Sequence, residues 1–330
     1  MAGRLSTSPP WRQLVRMIHR STHMTGSGAA ASRAPRKVAA GPRSLVAMVA
    51  CALFGTVSGA LAQGTPVACV APGSPLRLDH VPVAVGDLEA LSQRLTDEFG
   101  FRVQDPERGE NGLAAAAIPF GDGTRLELKT VAAAPGPDTP GAAEAQRYAD
   151  LIADGGGGAY LALSGPDPAG VLDIAGELEP ALAATSGEAG RRVGFPRDHP
   201  LHAVFFVDPD PGAREPPIMS GAPEHPNRAR GLQAVWIMAE DPERLTRFLL
   251  AFGARDCGPS RHPEHLYGRA VGIRGGTVYV VDARLWMADP GSAPVVSLTV
   301  LGGPESVSDN IVLGSAGGLW IELRPSEGNE

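Results

Sequence analysis

One order of elements recurs along this chain, and this recurrence constrains the fold more than any single motif does. In the first copy, residues 78–85 place valines at every second position, as a strand does, and residues 87–99 carry apolar side chains at helical spacing. Three short extended segments follow near 101–103, 112–119 and 124–131. The predicted order is therefore one strand, one helix and three further strands.

The same order returns later in the sequence, with a strand at 232–238, a helix at 241–252 and strands near 266–273 and 277–282. A weaker copy lies between these two, and a copy without a helix closes the series. A repeat of roughly 75 residues is typical of folds assembled from equivalent modules. The modules are predicted at 77–131, 157–220, 231–284 and 294–325, with linkers at 63–76 and 132–156. We expect an α+β fold of repeated βαβββ modules.

The first 62 residues do not share this pattern. They carry eight basic residues and no acidic one, and an apolar stretch at 45–61 runs into Ala60-Leu61-Ala62. A basic region, a short apolar stretch and an Ala-x-Ala site are typical of a cleaved secretory signal. The alternative is a single membrane anchor, although glycine and serine dilute the apolar stretch. We expect a signal peptide over 1–62 and a periplasmic or secreted mature protein.

Cleavage at this site would make the chain strongly acidic. Eight of its 29 basic residues would be removed, which leaves 21 against 36 acidic residues. Such a chain repels nucleic acid and anionic lipid, so we expect no nucleic-acid partner and no membrane partner after signal cleavage. A small-molecule ligand or substrate is the expected partner, and a homodimer remains open.

Two cysteines, Cys69 and Cys257, remain after the expected cleavage, because Cys51 lies in the signal. A single pair in a chain bound for an oxidising compartment favours a disulfide. The alternative is two unpaired buried thiols, because spacing alone does not show that the two residues meet.

Three segments of the first module resemble a known family. The strand at 78–81, the end of the helix at 99–101 and the hairpin at 118–128 resemble the glyoxalase-like domain of the vicinal oxygen chelate superfamily. That superfamily includes glyoxalase I, extradiol dioxygenases and bleomycin-resistance proteins. The resemblance implies that paired modules form curled mixed sheets, whose first and last strands hold a divalent metal that binds two adjacent oxygens of the substrate.

Strand parity predicts which side chains share a face in the first module. Val81 and Val83 must pack on the helix, so His80 points the other way. Leu126 likewise faces the helix, so Glu127 faces away from it. The resemblance makes these two strands neighbours and makes His80 and Glu127 the metal-ligand positions, for Zn, Fe, Mn or Ni. The alternative is a solvated strand face with an incidental His–Glu pair.

The third module departs from this pattern. Aligning its first strand on that of the first module puts Ala234 where a second histidine would lie, and aligning the Gly-Thr turns puts Val280 opposite Glu127. This module is therefore expected to serve as scaffold.

Further ligands would come from elsewhere in the chain. The segment 320–324 repeats the pattern of 125–129, so Glu322 is a candidate third ligand or catalytic base, with a surface glutamate as the alternative. A missing imidazole would come from His202, at the start of a strand, or from His225, in a loop before the third module. Both are also ordinary loop or strand-end positions.

Other chemistries lack their motifs. The sequence holds no C-x-x-C, no G-x-x-x-x-G-K-[ST] and no G-x-S-x-G, so a cysteine zinc site, a P-loop and a serine hydrolase elbow are not predicted. The glycine run 155–158 is interpreted as a flexible turn.

Two functions of different classes follow. The first is an exported metal-dependent lyase, isomerase or dioxygenase, whose cation polarises two vicinal oxygens. The second is a non-catalytic protein that binds or sequesters an apolar or aromatic small molecule, as bleomycin-resistance relatives do. A third possibility is that all modules are scaffold. Metal content discriminates between the first two.

Overall fold

The structure is a computed structural model. It describes residues 69–324 except 110, 135, 137–138, 140, 166–167, 180, 182, 188–189, 208–223, 262–266, 286–291, 303–310 and 317. The predicted signal at 1–62 lies outside the described residues. Within them, no helix is both long and apolar enough to cross a membrane.

The first module has the predicted order of elements. It consists of β1 (Arg77–Ala84), α1 (Leu88–Asp97), β2 (Glu107–Arg108), β3 (Leu113–Pro119) and β4 (Arg125–Val131). The prediction of a strand at 101–103 was wrong, because the short strand β2 begins only at residue 107.

Two residues set the limits of α1. The Asp87 side chain accepts a hydrogen bond from the Ala90 N–H at 2.9 Å and so caps the start of the helix. Gly100 follows the helix with a φ of 71°, a conformation that favours glycine.

The segment that follows contains a helix that sequence analysis did not identify, α2, within the predicted linker. The elements are α2 (Ala142–Ala153), β5 (Gly157–Gly158), β6 (Leu161–Ser164), α3 (Pro168–Leu178), β7 (Ala183–Gly187), β8 (Gly190–Gly194) and β9 (Val204–Val207). The interpretation of 155–158 as a flexible turn was wrong for its second half, because Gly157 and Gly158 form β5.

The remaining elements repeat the order once more and then lead into a last group of three strands. They are β10 (Ala229–Ala239), α4 (Pro242–Ala251), β11 (Arg255–Arg261), β12 (Tyr267–Ile273), β13 (Gly276–Asp282), β14 (Val295–Gly302), β15 (Ile311–Ala316) and β16 (Leu319–Arg324). Cys257, on β11, forms a disulfide with Cys69, and their Cα atoms are 6.1 Å apart. The predicted disulfide is thereby confirmed.

Strand pairing follows one rule in all four groups of strands. The first strand of each group runs parallel to its last, in the pairs β1–β4, β6–β9, β10–β13 and β14–β16. First strands then pair antiparallel, β1 with β6 and β10 with β14. The chain is thus an α+β protein with a mixed sheet, as predicted.

The two halves of the sheet meet at β5. Gly158 pairs with Val83 of β1 on one side and with Val295 of β14 on the other. A Cβ atom at Gly158 would lie 2.5 Å from the Val295 Cβ and 2.8 Å from its carbonyl oxygen, so only glycine allows this close approach.

Helices α1, α3 and α4 pack on one side of the sheet and form the main core with the apolar strand residues. The opposite side carries two smaller buried clusters. We call the first the first inner face, and it comprises Ala84, Leu113, Ala145, Tyr148, Leu151, Ala159, Tyr160, Ala162 and Phe205. We call the other the second inner face, and it comprises Cys69, Ala234, Trp236, Ala270, Tyr279 and Val281.

Candidate functional site

His80 and Glu127 meet on the side of the sheet away from the main core. His80 is 6% exposed, and its Nε2 lies 3.6 Å from Glu127 Oε2. The pairing of β1 with β4 explains this geometry, because Val81 and Val83 lie opposite Leu126 and Leu128 in the main core and turn the intervening side chains the other way. Parity thus placed both side chains correctly.

Asp79 fixes the orientation of the His80 ring. Its Oδ1 lies 2.6 Å from His80 Nδ1 and also accepts a hydrogen bond from Arg125 Nη1 at 3.3 Å. Burial is the main cause that lowers the pKa of His80, and it outweighs the hydrogen bond to Asp79. Nδ1 is thus the ring atom hydrogen-bonded to Asp79, and Nε2 is the ring atom that faces Glu127.

Glu127 also contacts a cation two residues along the same strand. Lys129 Nζ lies 3.1 Å from Glu127 Oε2 and 3.7 Å from Glu144 Oε1. Burial alone would raise the pKa of Glu127, but Lys129 and His80 outweigh it and lower that pKa. The side chains of Glu127 and Lys129 are 22% and 18% exposed, so this cluster reaches solvent.

Aromatic side chains border the ionic cluster. Phe205 packs edge-on against His80 with ring centroids 5.7 Å apart, and Tyr160 packs edge-on against Phe205 at the same distance. The Arg192 guanidinium lies 3.6 Å from the Phe205 ring centroid, a cation–π contact. The site thus combines charged groups with a wall of aromatic rings.

Tyr148 of α2 is the functional candidate that sequence reasoning missed. It is fully buried, its hydroxyl has no hydrogen-bond partner, and Lys129 Nζ lies 5.7 Å from its ring. Burial, followed by the charge of Glu144, raises the pKa of Tyr148 well above its usual value, so the hydroxyl stays protonated. A buried donor without a partner is unusual and calls for a ligand or water.

The second module adds no metal ligand opposite His80. Its first strand pairs Ala162 with His80, and its last strand places Phe205 beside Ala162. These positions carry a methyl group and a phenyl ring.

Glu322 lies on a different part of the sheet. It is 2% exposed, accepts a hydrogen bond from Thr299 Oγ1 at 3.3 Å, and its Oε2 lies 3.4 Å from Arg324 Nη2. The carboxylate followed two residues later by a cation repeats the arrangement of Glu127 and Lys129. Among the described residues, no contact joins Glu322 to His80 or Glu127.

The expected position of Val280 was wrong by one residue. In β1 and β4, Glu127 pairs with Pro82, whereas in β10 and β13 the equivalent residue Trp236 pairs with Tyr279. Tyr279 therefore takes the place of Glu127 and stacks on Trp236 with ring centroids 4.1 Å apart. Ala234 holds the position of His80, as expected.

The other two candidate histidines, His225 and His202, form hydrogen bonds elsewhere in the fold. His225 accepts a hydrogen bond from the Arg102 N–H at Nδ1 and donates from Nε2 to the Pro119 carbonyl, both at 2.9 Å. His202 donates from Nδ1 to the His199 carbonyl at 2.8 Å. Within the described residues, neither contacts His80 or Glu127.

His80 and Glu127 supply fewer protein ligands than a resident metal needs. Catalytic zinc sites have three protein ligands, and His80 with Glu127 supplies two. The carboxylate oxygen that faces His80 is also the one 3.1 Å from the Lys129 ammonium, which would repel a divalent cation. No group of three His, Cys, Asp or Glu side chains in the described part of the chain could hold a metal ion. By themselves, His80 and Glu127 do not complete a resident transition-metal site.

The fold and the paired first strands define a protein built from glyoxalase-like modules. Residues 78–253 match the Glyoxalase-like domain family model, which is more than half of the chain, and the chain belongs to this family of the vicinal oxygen chelate superfamily. A comparison with curated proteins gave no match.

Two solved structures share the fold, and a third was also matched. A hypothetical protein from Staphylococcus aureus is 9% identical with a TM-score of 0.54, over 76% of this chain and 99% of that one. The 2,3-dioxygenase LapB from Pseudomonas sp. KL28 is 14% identical with a TM-score of 0.50, over 78% and 94%. A mutant of 4-hydroxymandelate synthase from Streptomyces coelicolor is 17% identical with a TM-score of 0.48, over 77% and 93%.

Proposed function

We propose that this protein binds a small molecule at the first inner face. The observation that carries the proposal is the fully buried Tyr148 hydroxyl, which has no hydrogen-bond partner. Tyr148 lies beside Lys129, in a polar cluster that reaches solvent. Leaving such a donor unpaired costs about 1–3 kcal/mol, and a ligand oxygen that accepts its hydrogen bond would recover much of this cost.

The surroundings favour an uncharged ring compound that carries an oxygen. Tyr160 and Phe205 pack edge-on against each other beside the cluster, and a ring-shaped ligand could extend this aromatic packing. The charges around the site balance, with three cations and three carboxylates: Arg125, Lys129, Arg192, Asp79, Glu127 and Glu144. A net charge on the ligand would therefore find no excess of the opposite sign.

A metal-dependent reaction at this site is the weaker candidate. Asp79 on His80 Nδ1 is the kind of second contact that orients metal-binding imidazoles, but a third ligand is missing among the described residues. Ligation of a divalent metal by His80 and Glu127, with Glu322, His202 or His225 as further ligands, stays a prediction, as does catalysis by Glu322.

We also propose export to the periplasm or the cell exterior. The Cys69–Cys257 disulfide supports it, because such bonds persist in oxidising compartments. Cell fractionation of the full chain, compared with a chain that lacks residues 1–62, tests this. Equal retention of both in the cytoplasm would contradict it.

A thermal-shift screen of the mature protein tests the binding function. The probes are acetophenone, phenol and benzamide, each measured with and without Zn²⁺, Mn²⁺ and Ni²⁺. We expect at least one ring compound to raise the melting temperature without metal, and Phe205→Leu and Glu127→Gln to weaken the effect. The exposed Arg94→Gln variant is the control. Stabilisation that requires metal and disappears in His80→Ala would refute metal-free binding.

A further inference from the structure

A second group of polar side chains lies around Arg147 of α2, away from the cluster of His80 and Glu127. Arg147 is 6% exposed, and no other arginine among the described residues is buried. Its Nη2 donates a hydrogen bond to His202 Nε2 at 3.1 Å, and its Nε is buried without a partner. This guanidinium is costly to remove from water, and one of its buried donors, Nε, has no partner.

Other arginines of this protein show what is missing. Arg244, Arg269 and Arg284 each donate from both Nε and Nη2 to one carboxylate. This two-point contact is the strongest that a guanidinium makes with an oxyanion. Arg147 is more buried than any of these three, yet it forms no ion pair with a carboxylate in the described part of the chain.

His202 does not neutralise the guanidinium, because it is itself uncharged. Its Nδ1 donates to the His199 carbonyl at 2.8 Å, so its Nε2 is the acceptor for Arg147. Burial, with the charges of Arg147 and Arg197 in addition, lowers the pKa of His202. His202 therefore holds the guanidinium in place and contributes no negative charge.

Two carboxylates, Asp150 and Glu240, act electrostatically on this group, but neither forms an ion pair with Arg147. Arg197 Nη2 lies 2.7 Å from Asp150 Oδ2, so this carboxylate already has a cation of its own. Among the described residues, the Arg147 guanidinium thus has no carboxylate in direct contact.

We propose that Arg147, positioned by His202, binds a small oxyanion, the carboxylate or phosphate group of a ligand. The site goes beyond the small-molecule site proposed above, since Arg147 forms none of the contacts around His80 and Glu127. The group bound there would supply the direct oxyanion contact that no described carboxylate makes with Arg147.

Anion titrations of the mature protein test this site. The probes are inorganic phosphate and acetate, each at constant ionic strength with chloride as the balance, and the melting temperature is measured. We expect a saturable rise with at least one probe, and an apparent affinity at least tenfold weaker in Arg147→Met. The matched control, Arg269→Met, removes an exposed guanidinium and should respond as the wild type does. The probe with the higher apparent affinity shows whether the site prefers a tetrahedral oxyanion, as in phosphate, or a planar one, as in acetate.

A second measurement keeps the test decisive if Arg147→Met folds poorly. In the wild-type protein, the NMR signal of the Arg147 Nε–H should move during the same titration, while that of Arg269 stays fixed. An equal rise in wild type and Arg147→Met, no saturable rise at all, or a fixed Arg147 signal would overturn the proposal.

Discussion

Tyr148→Phe tests the binding proposal through two effects of opposite sign. The change removes only a hydroxyl that is fully buried and has no hydrogen-bond partner. An unpaired buried polar group costs about 1–3 kcal/mol, so we expect the free energy of unfolding of the ligand-free protein to rise by about that amount. For a domain of this size, each kcal/mol corresponds to about 2–4 °C in Tm.

The same substitution should weaken ligand binding. A hydrogen bond contributes about 1 kcal/mol, so the dissociation constant of a ring compound that uses this hydroxyl should rise about fivefold. Urea denaturation measures the first effect and titration calorimetry the second. Tyr160→Phe is the control, because Tyr160 is 9% exposed and its hydroxyl is not among the buried unpaired atoms. A Tyr148→Phe protein that is less stable, or that binds as tightly as the wild type, would refute the reasoning.

Three further predictions concern stability. Hydrogen bonds from Arg244 are the main cause that lowers the pKa of Glu179, so this pair stabilises the fold above pH 4.5 and loses its effect as the pH falls through the lowered pKa. Glu179→Gln should therefore cost about 1 kcal/mol at pH 7 and progressively less as the pH falls below 4.5, by urea midpoints. If the difference does not shrink on acidification, the ion pair is not its source. The disulfide closes a separation of 188 residues, so Cys257→Ser should cost about 2–5 kcal/mol, and an unchanged midpoint would show that Cys69 is not bonded in solution. Gly158→Ala should cost about 1–3 kcal/mol by forcing β5 away from Val295, whereas a neutral result would contradict the tight junction.

The elements that could be predicted are those with a regular pattern on a half-buried strand or helix. Alternation around Val81 and Leu126 was enough to bring His80 and Glu127 to one face, because a one-residue shift would expose the core side chains. The α+β class followed from the repeat, the family followed from the resemblance of three segments of the first module, and both are confirmed. The role of the pair as metal ligands stays a prediction.

The rest depended on tertiary contacts or on weak signals. Helix α2 has Ala145, Tyr148 and Leu151 at helical spacing, a signal that the surrounding Pro and Gly residues hid. Aligning the two Gly-Thr turns put Val280 at the position that Tyr279 occupies in the structure. The alignment failed because β13 begins at its turn glycine, whereas β4 begins two residues after Gly123. The strand formed by Gly158 is stabilised by strands far away in sequence, so no local pattern could reveal it.

The central claim is that the first inner face binds an organic molecule without a resident metal. Native mass spectrometry of the mature protein, as purified from cells and without added chelator, measures this directly. The account predicts either the bare protein or a complex with an organic mass whose occupancy falls in Tyr148→Phe. A stoichiometric transition-metal mass that disappears in both His80→Ala and Glu127→Ala would contradict it.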